Sequence, residues 1–370
     1  MIYDFAIVGA GMAGASLAAE LAPAGTVLIL EAEDFPGYHA TGRSAAFWSE
    51  TYGGPSVQPL TSASHGFLAE PPAAFSKRPF LDPSGALHIA DQSGYARLDR
   101  LAAEFAASDV TLEHASPAAL VALCPGLRSG WDRAIWEPSC ADIDVGGLHQ
   151  AYLRAAQAHG AQLRCSAPAT AIEPRKGCWR VFAGKEWVEA AVIINAAGAW
   201  ADRVAAMAGA RKMGVAPYRR TVIQLRTDPA APENLPLVID AAGKFYFKSE
   251  GAGRIWLSPH DETPAKPGDA APEEIDIAYA IDRFEKAVDW KVLAVEKKWA
   301  GLRSFAGDRL PVYGFDPEAP GFFWCAGQGG FGIQTAPAGA MLCRSLLIGD
   351  AKPALLAGVE ADRYSPGRFA

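Results

Sequence analysis

The chain opens on a short apolar run, Asp4-Phe-Ala-Ile-Val8, that empties into glycine. An uninterrupted run of this length is what a strand covered on both faces requires. Residues 12–21 switch to Ala, Leu, Met and Glu, a helix-forming composition, and "TVLILE" (26–31) returns to β-branched and leucine residues. Strand, turn, helix, strand is a βαβ unit, the crossover that parallel strands need. Further on, "LDRLAAEFAA" sets Leu98, Leu101 and Phe105 on one helical face. "SPAALVALCPG" predicts a helix with Ser116 as N-cap, Pro117 in its first turn and Pro125-Gly126 as its stop. A helix ending at Gly160, strands near 162–165, 178–182 and 187–195, and a glycine-bearing turn into another helix ("AAGAWADRVAAMAG") follow. After Pro217 the pattern turns strand-rich: "RRTVIQLR", then "KFYFK" and "RIWLSP" joined through Gly251 and Gly253 as a hairpin. "PEEIDIAYAIDRFEKAV" reads as a helix with Ile275, Tyr279 and Phe284 among its apolar positions, and "LAVEKKWAGLRSF" returns to the core.

This order predicts an α/β protein, α+β overall. A nucleotide-binding domain is expected from residues 1–80, 142–213 and 304–370, with a strand-rich substrate domain from 81–141 and 214–303. The length of 370 residues, half of them hydrophobic, suits two cooperating cores. The net charge of −7 argues against a nucleic-acid partner. Six scattered cysteines without a Cys-x-x-Cys pair suit free thiols in a reducing compartment, not a zinc site or disulfide framework. No basic stretch precedes the first apolar run, and no apolar run reaches the roughly 18 residues of a membrane span, so a cytoplasmic location is expected.

Gly9-x-Gly11-x-x-Gly14 sits between the first strand and the first helix. Gly9 permits the tight turn, Gly11 lets backbone approach a pyrophosphate, and Gly14 allows helix to pack on strand. The helix N-terminus, with Met12 and Ala13 in its first turn, offers free N–H groups to phosphate. Glu31 ends the second strand 22 residues after Gly9, where a carboxylate can accept hydrogen bonds from an adenosine ribose. Three further small-residue turns favour FAD over NAD, because a long tricyclic ring needs contacts from distant segments. They are "ATGRSAA" (Ala40, Thr41, Arg43, Ser44, Ala45, Ala46), "NAAGAWA" (Ala196, Ala197, Gly198, Trp200) and "GQGGFGIQT" (Gly329, Gly330, Gly332, Ile333, Gln334, Thr335). The helix expected after Thr335 would aim its positive end at the flavin.

The stretches "GYHATGRSAA", "ADIDVGGLHQAYLR", "NAAGAWAD", "FYFK", "WAGLRSF" and "GFFWCAGQGGFGIQT" span nearly the whole chain. Through them it resembles the FAD-dependent D-amino-acid oxidase and dehydrogenase superfamily, which includes glycine oxidase and sarcosine oxidase, and within it the D-arginine dehydrogenase branch. The resemblance implies non-covalent FAD, a glutathione-reductase-like FAD domain and a substrate domain built on a large sheet. It implies that Arg220 and Arg303 clamp a substrate carboxylate, that Tyr52 and Tyr246 flank the substrate, and that the Gly330 carbonyl accepts a hydrogen bond from its amine. It also places Ala169 against the cofactor and Phe47, Trp48, Ala86 and Ile239 in the substrate pocket. Guanidinium forks match a carboxylate bidentately, and within "LRSF" an unpaired charge is costly.

The chain departs from that branch at two places. Phe47 stands where the relatives carry histidine, and Ala86 where they carry an acid suited to a cationic side chain. The expectation is therefore oxidative deamination of a neutral, hydrophobic or cyclic amino acid of D-configuration, by hydride transfer to flavin, giving an imino acid that hydrolyses to a 2-oxo acid. A 2-hydroxy acid or N-alkyl amino acid dehydrogenase, and an FAD-binding subunit of a hetero-oligomeric oxidase, are the alternatives. A hydroxyl substrate needs a base, commonly histidine, and none is evident. The electron acceptor, whether oxygen, quinone or protein, is open.

Overall fold

The computed structural model describes residues 2–369. Its first sheet has eight strands, along the path Ala169–Arg175, Cys178–Ala183, Glu186–Asn195, Ile2–Val8, Val27–Leu30 and Gln162–Arg164. Ile2–Val8 runs parallel to both its neighbours, and Phe322–Ala326 joins parallel to Glu186–Asn195. The opening βαβ unit thus sits at the sheet centre, which is why its strands read as continuous apolar runs. Helices Met12–Leu21, Val145–Ala158 and Ala336–Ile348 cover one face, sharing a core with Leu17, Tyr152, Leu342 and Phe323. The other face is covered by Ala201–Ala208, with Val204 and Ala205 against Trp324 and Val181.

The second sheet has ten strands. Ala216–Asp228 and Lys291–Phe305 form a long antiparallel pair at one side, the hairpin Tyr246–Ser249 and Arg254–Ser258 lies in the middle, and Ala86–Ala90 and Arg133–Glu137 complete the far side. Helix Glu274–Ala287 packs on it through Ile277, Ala280, Phe284 and Ala287. Ile275 and Tyr279, named with Phe284 among the helix's apolar positions, are about half exposed at 52% and 51%. The helix turns its Ile277–Phe284 stripe inward instead. Helix Gln58–Ala69 and strand Ala169–Arg175 were not foreseen. The first has a small-polar composition (Thr61, Ser62, Ser64) that reads as loop, and the second reads as a polar connection.

The sheets meet at one place that matters for the site. Gln328–Gly329 pairs with Ser304 and Phe305 at the end of the long strand Lys291–Phe305. The glycine-rich turn after Phe322–Ala326 is thereby sewn to the second sheet. Among the described residues no helix is long and apolar enough to cross a membrane.

Gly14 shows how closely the first helix must approach. A Cβ there would fall 1.9 Å from the Gly9 carbonyl oxygen. Gly14→Ala is expected to cost about 3 kcal/mol by forcing the helix off the strand. Thermal melts of the apoprotein will read this as a lower midpoint, and an unchanged midpoint would contradict the packing described.

Candidate active site

A cavity of about 370 Å³ runs from the first glycine turn to the last one. It passes Gly9, Gly11, Met12 and Ala13, then Glu31, then Ala40, Thr41, Arg43, Ser44 and Ala45. Ala169, Ala196, Ala197, Gly198 and Trp200 form another wall, and Gly329, Gly330, Gly332 and Ile333 with Arg220, Tyr246 and Arg303 close the far end. Segments far apart in the sequence thus converge on one elongated space.

The glycine end is shaped by backbone. Gly9 has φ +106°, and a Cβ on it would lie 2.5 Å from the Ala196 carbonyl oxygen. The helix Met12–Leu21 starts at Gly11 without a side-chain cap and without an acid in its first turn. Its positive end therefore faces the cavity uncompensated, apart from Met12 N–H donating to Thr41 Oγ1 at 2.9 Å. Glu31 is buried and held by the N–H groups of Ala10 (2.8 Å) and Glu33 (3.0 Å). An uncapped helix end, a glycine wall and an oriented carboxylate at the second strand's end fit a dinucleotide such as FAD.

Not every residue expected on the cofactor reaches the cavity. Gly14 packs helix on strand, Ala46 gives its carbonyl to Ile143 N–H, and Thr335 Oγ1 donates to the Phe331 carbonyl. Gln334 is the most informative departure. Its amide Nε2 donates to the carbonyls of Ser49 and Tyr52 and to Thr61 Oγ1, while Oε1 accepts from Ser49 N–H. From the other side buried Glu137 accepts from Ser49 Oγ, Thr51 Oγ1, Glu50 N–H and His88 Nε2. These two side chains clamp the 49–52 segment and so position Tyr52.

At the far end two cations lie near one another. Arg220 is 4% exposed. Its Nε donates to the Asp261 carbonyl at 2.7 Å and Nη2 to Glu262 at 3.3 Å, but buried Nη1 has no partner. Burial and the Arg303 charge bring its pKa down to about 10. Among the described residues the Arg303 guanidinium makes no hydrogen bond. It lies 5.6 Å from the Tyr52 ring centre. Burial disfavours its charge, but the Tyr52 and Tyr246 phenols and the Glu262 and Asp261 carboxylates outweigh this and raise its pKa. Tyr52 presses its hydroxyl on Gly330, where a Cβ would lie 1.9 Å from it.

Phe47 stands 5.4 Å from the Tyr52 ring and 6.1 Å from the Tyr246 ring. Phe47, Ala86 and Ile239 form one apolar cluster with Tyr246 but do not themselves line the cavity. Trp48 is placed elsewhere: its indole is buried in the helix-covered core and donates to the Thr61 carbonyl at 3.0 Å. The alternating side chains of the short strand Phe47–Trp48 send these neighbours to opposite faces.

His260 was missed by sequence reasoning. It lies 5.6 Å edge-on from the Tyr246 ring and, with Tyr52 and Arg303, lines a second, outer cavity of about 420 Å³. Burial and the two arginines hold it well below the ordinary imidazole range. Nothing in "SPHDE" announces it, because its placement depends on how the hairpin's exit folds back. The remaining buried histidines are committed: His88 to Glu137 and His149 to the Ala10 carbonyl.

Residues 4–346 match the family model for FAD dependent oxidoreductases (DAO), and the chain belongs to that family, with FAD as its cofactor. It is 29% identical over 170 residues to the bovine (Bos taurus) FAD-dependent oxidoreductase domain-containing protein 1, covering 41% of this chain and 34% of that protein. The chain thus spans about a third of the length of the curated relatives it matches first. Glycine oxidase from Geobacillus kaustophilus superposes with a TM-score of 0.83 at 23% identity, over 97% of this chain and 98% of that one. L-Proline dehydrogenase from P. horikoshii does so with a TM-score of 0.86 at 21% identity, over 100% and 98%. These two share the fold.

A carboxylate bound at Arg220 would carry a pH dependence. With its pKa brought down to about 10, Arg220 is charged well below that pH and loses its charge as pH rises through it. Affinity for an unreactive monocarboxylate such as benzoate, read from the flavin absorbance change, is expected to be flat from about pH 7 to 9 and to fall above about 10. A loss already complete by about pH 8 would contradict this assignment.

Proposed function

We propose that the protein oxidises an amino acid or N-alkyl amino acid, with Arg220 and Arg303 holding the substrate carboxylate. The observation that carries this reading is the unpartnered Arg220 Nη1 beside the Arg303 guanidinium, both on the cofactor cavity. Two clustered guanidiniums in a desolvated site are short of negative charge, and a carboxylate supplies it in matching planar geometry. Tyr246 and Tyr52 flank the substrate, and the Gly330 carbonyl accepts a hydrogen bond from its amine. Hydride acceptance is the chemistry that bound FAD supplies. This chain's residues contribute position: the carboxylate is fixed, the amine is held at a carbonyl, and the amine lone pair assists as hydride leaves the α-carbon. The imine product then hydrolyses to a 2-oxo acid.

The apolar cluster of Phe47, Ala86 and Ile239 behind Tyr246 offers no acid to a basic side chain, so the preferred substrate is neutral, hydrophobic or cyclic; its D-configuration is what the resemblance implies. A secondary amine is the second reading. It is favoured by the fold shared with L-proline dehydrogenase and by local similarity to mammalian sarcosine dehydrogenase. A 2-hydroxy acid is disfavoured, because burial and the two arginines make His260 a weak proton acceptor, and a hydroxyl substrate needs one. Six free cysteines accord with a cytoplasmic protein.

Anaerobic mixing of the yellow protein with D- and L-amino acids, N-methyl amino acids, cyclic imino acids and 2-hydroxy acids tests the reading. The flavin's visible band is expected to bleach with a neutral amino acid or secondary amine and not with the hydroxy acids. Bleaching only by hydroxy acids, or fastest bleaching by D-arginine or D-lysine, would overturn it.

A further inference from the structure

Between the short strand Thr263–Pro264 and the helix Glu274–Ala287 the chain leaves the ten-stranded sheet and crosses to the cofactor cavity without regular structure. Pro267 and Pro272 stiffen this segment, and Gly268 and Ala270 line the cavity wall. Ala265 N–H still belongs to the sheet side, donating to the Pro217 carbonyl at 3.0 Å.

From 266 to 272, the hydrogen bonds to the rest of the protein among the described residues reach two side chains only, both in the small-residue turn region beside the cavity. Tyr38 Oη donates to Asp269 Oδ2 at 3.2 Å, Arg43 Nη1 donates to the Ala270 carbonyl at 3.0 Å, and Arg43 Nη2 pairs with Asp269 Oδ1. The Arg43 guanidinium holds the Asp269 carboxyl below its ordinary range. Arg43 is anchored in turn. It donates to the carbonyls of Ala300 (3.2 Å) and Tyr38 (3.3 Å), and its own carbonyl accepts from Trp299 Nε1 at 3.0 Å. Every nitrogen of its guanidinium is spent on protein, so Arg43 is a fastening and not a free cation awaiting a phosphate.

We infer that residues 266–272 are a strap that retains FAD, and that the Arg43–Asp269 pair, assisted by Tyr38, is its fastening. An isolated exposed ion pair is worth little. Here, however, the pair and its two companion hydrogen bonds are the only hydrogen bonds among the described residues from 266–272 to the rest of the protein, and losing Asp269 removes all of them but the Arg43–Ala270 bond. The strap closes the space from the sheet side, so its release opens one wall to solvent and shortens the residence of the cofactor.

The test is FAD release from the holoprotein after dilution into FAD-free buffer, followed by the rise in flavin fluorescence. Asp269→Ala is expected to release FAD about tenfold faster than the wild type, equivalent to about 1.4 kcal/mol. Tyr38→Phe is expected to give a smaller acceleration. Added salt should accelerate wild-type release and leave Asp269→Ala unaffected, because only the former has a pair to screen. The apoprotein melting temperature of Asp269→Ala should match the wild type. Release within roughly twofold of wild type in Asp269→Ala overturns the strap. So does a fall in apoprotein melting temperature as large as that of the holoprotein, which would make the contact part of the general fold. The readout is cofactor release, so it is independent of which substrate the enzyme oxidises.

Discussion

A surplus of buried positive charge is the constraint on which the rest of this structure depends. Arg220 sits almost wholly out of solvent with one guanidinium N–H group unpaired, and Arg303 beside it has no hydrogen-bond partner among the described residues. Burial, and after it the charge of Arg303, bring the Arg220 pKa down to about 10. A protein retains such an arrangement at a cost in stability, and that cost is recovered when an anion arrives. The Glu262 carboxylate, shared between Arg220 at 3.3 Å and Arg309 at 2.9 Å, and the Asp261 carboxylate 3.9 Å from Arg220 Nε offset part of the charge, but Arg220 Nη1 is left without a partner.

The surrounding architecture serves this pair. Arg220 and Arg303 lie on adjacent antiparallel strands, Ala216–Asp228 and Lys291–Phe305, whose long pairing fixes their separation. The same strand end that carries Arg303 pairs with Gln328–Gly329, so the glycine-rich turn is set in register with the arginines. Gln334, two residues beyond that turn's last glycine, reaches across to hold the carbonyls of Ser49 and Tyr52. Glu137 grips the same segment from the second sheet. The cofactor turn, the arginine strands and the tyrosine that flanks them are therefore one mechanically connected unit.

Much of this was legible in the sequence where local chemistry dictates the answer. The opening βαβ unit, Gly9, Gly11, Gly14 and Glu31 are visible because the apolar pattern, the turn and the terminal acid lie within 31 residues and reinforce one another. Ser116 was readable as an N-cap because its partner, Ala119 N–H, is three residues away. What was not legible depends on long-range placement. Gln334 was expected against the cofactor because its neighbours are, yet its partners lie more than 270 residues earlier. Trp48 was grouped with Phe47, although neighbouring strand residues face opposite ways. His260 and Asp269 lie in segments without periodicity, and only the folded chain shows what they meet.

The central claim is that the two guanidiniums recognise a carboxylate, and a thermodynamic cycle tests it most directly. The quantity to measure is kcat/KM for the best amino acid and for the amine that lacks only its carboxylate, in the wild type and in Arg303→Met. The account predicts that losing the carboxylate costs the wild type about a thousandfold, roughly 4 kcal/mol, and costs the variant far less. An equal penalty in both proteins would show that the carboxylate is read elsewhere and would contradict the account.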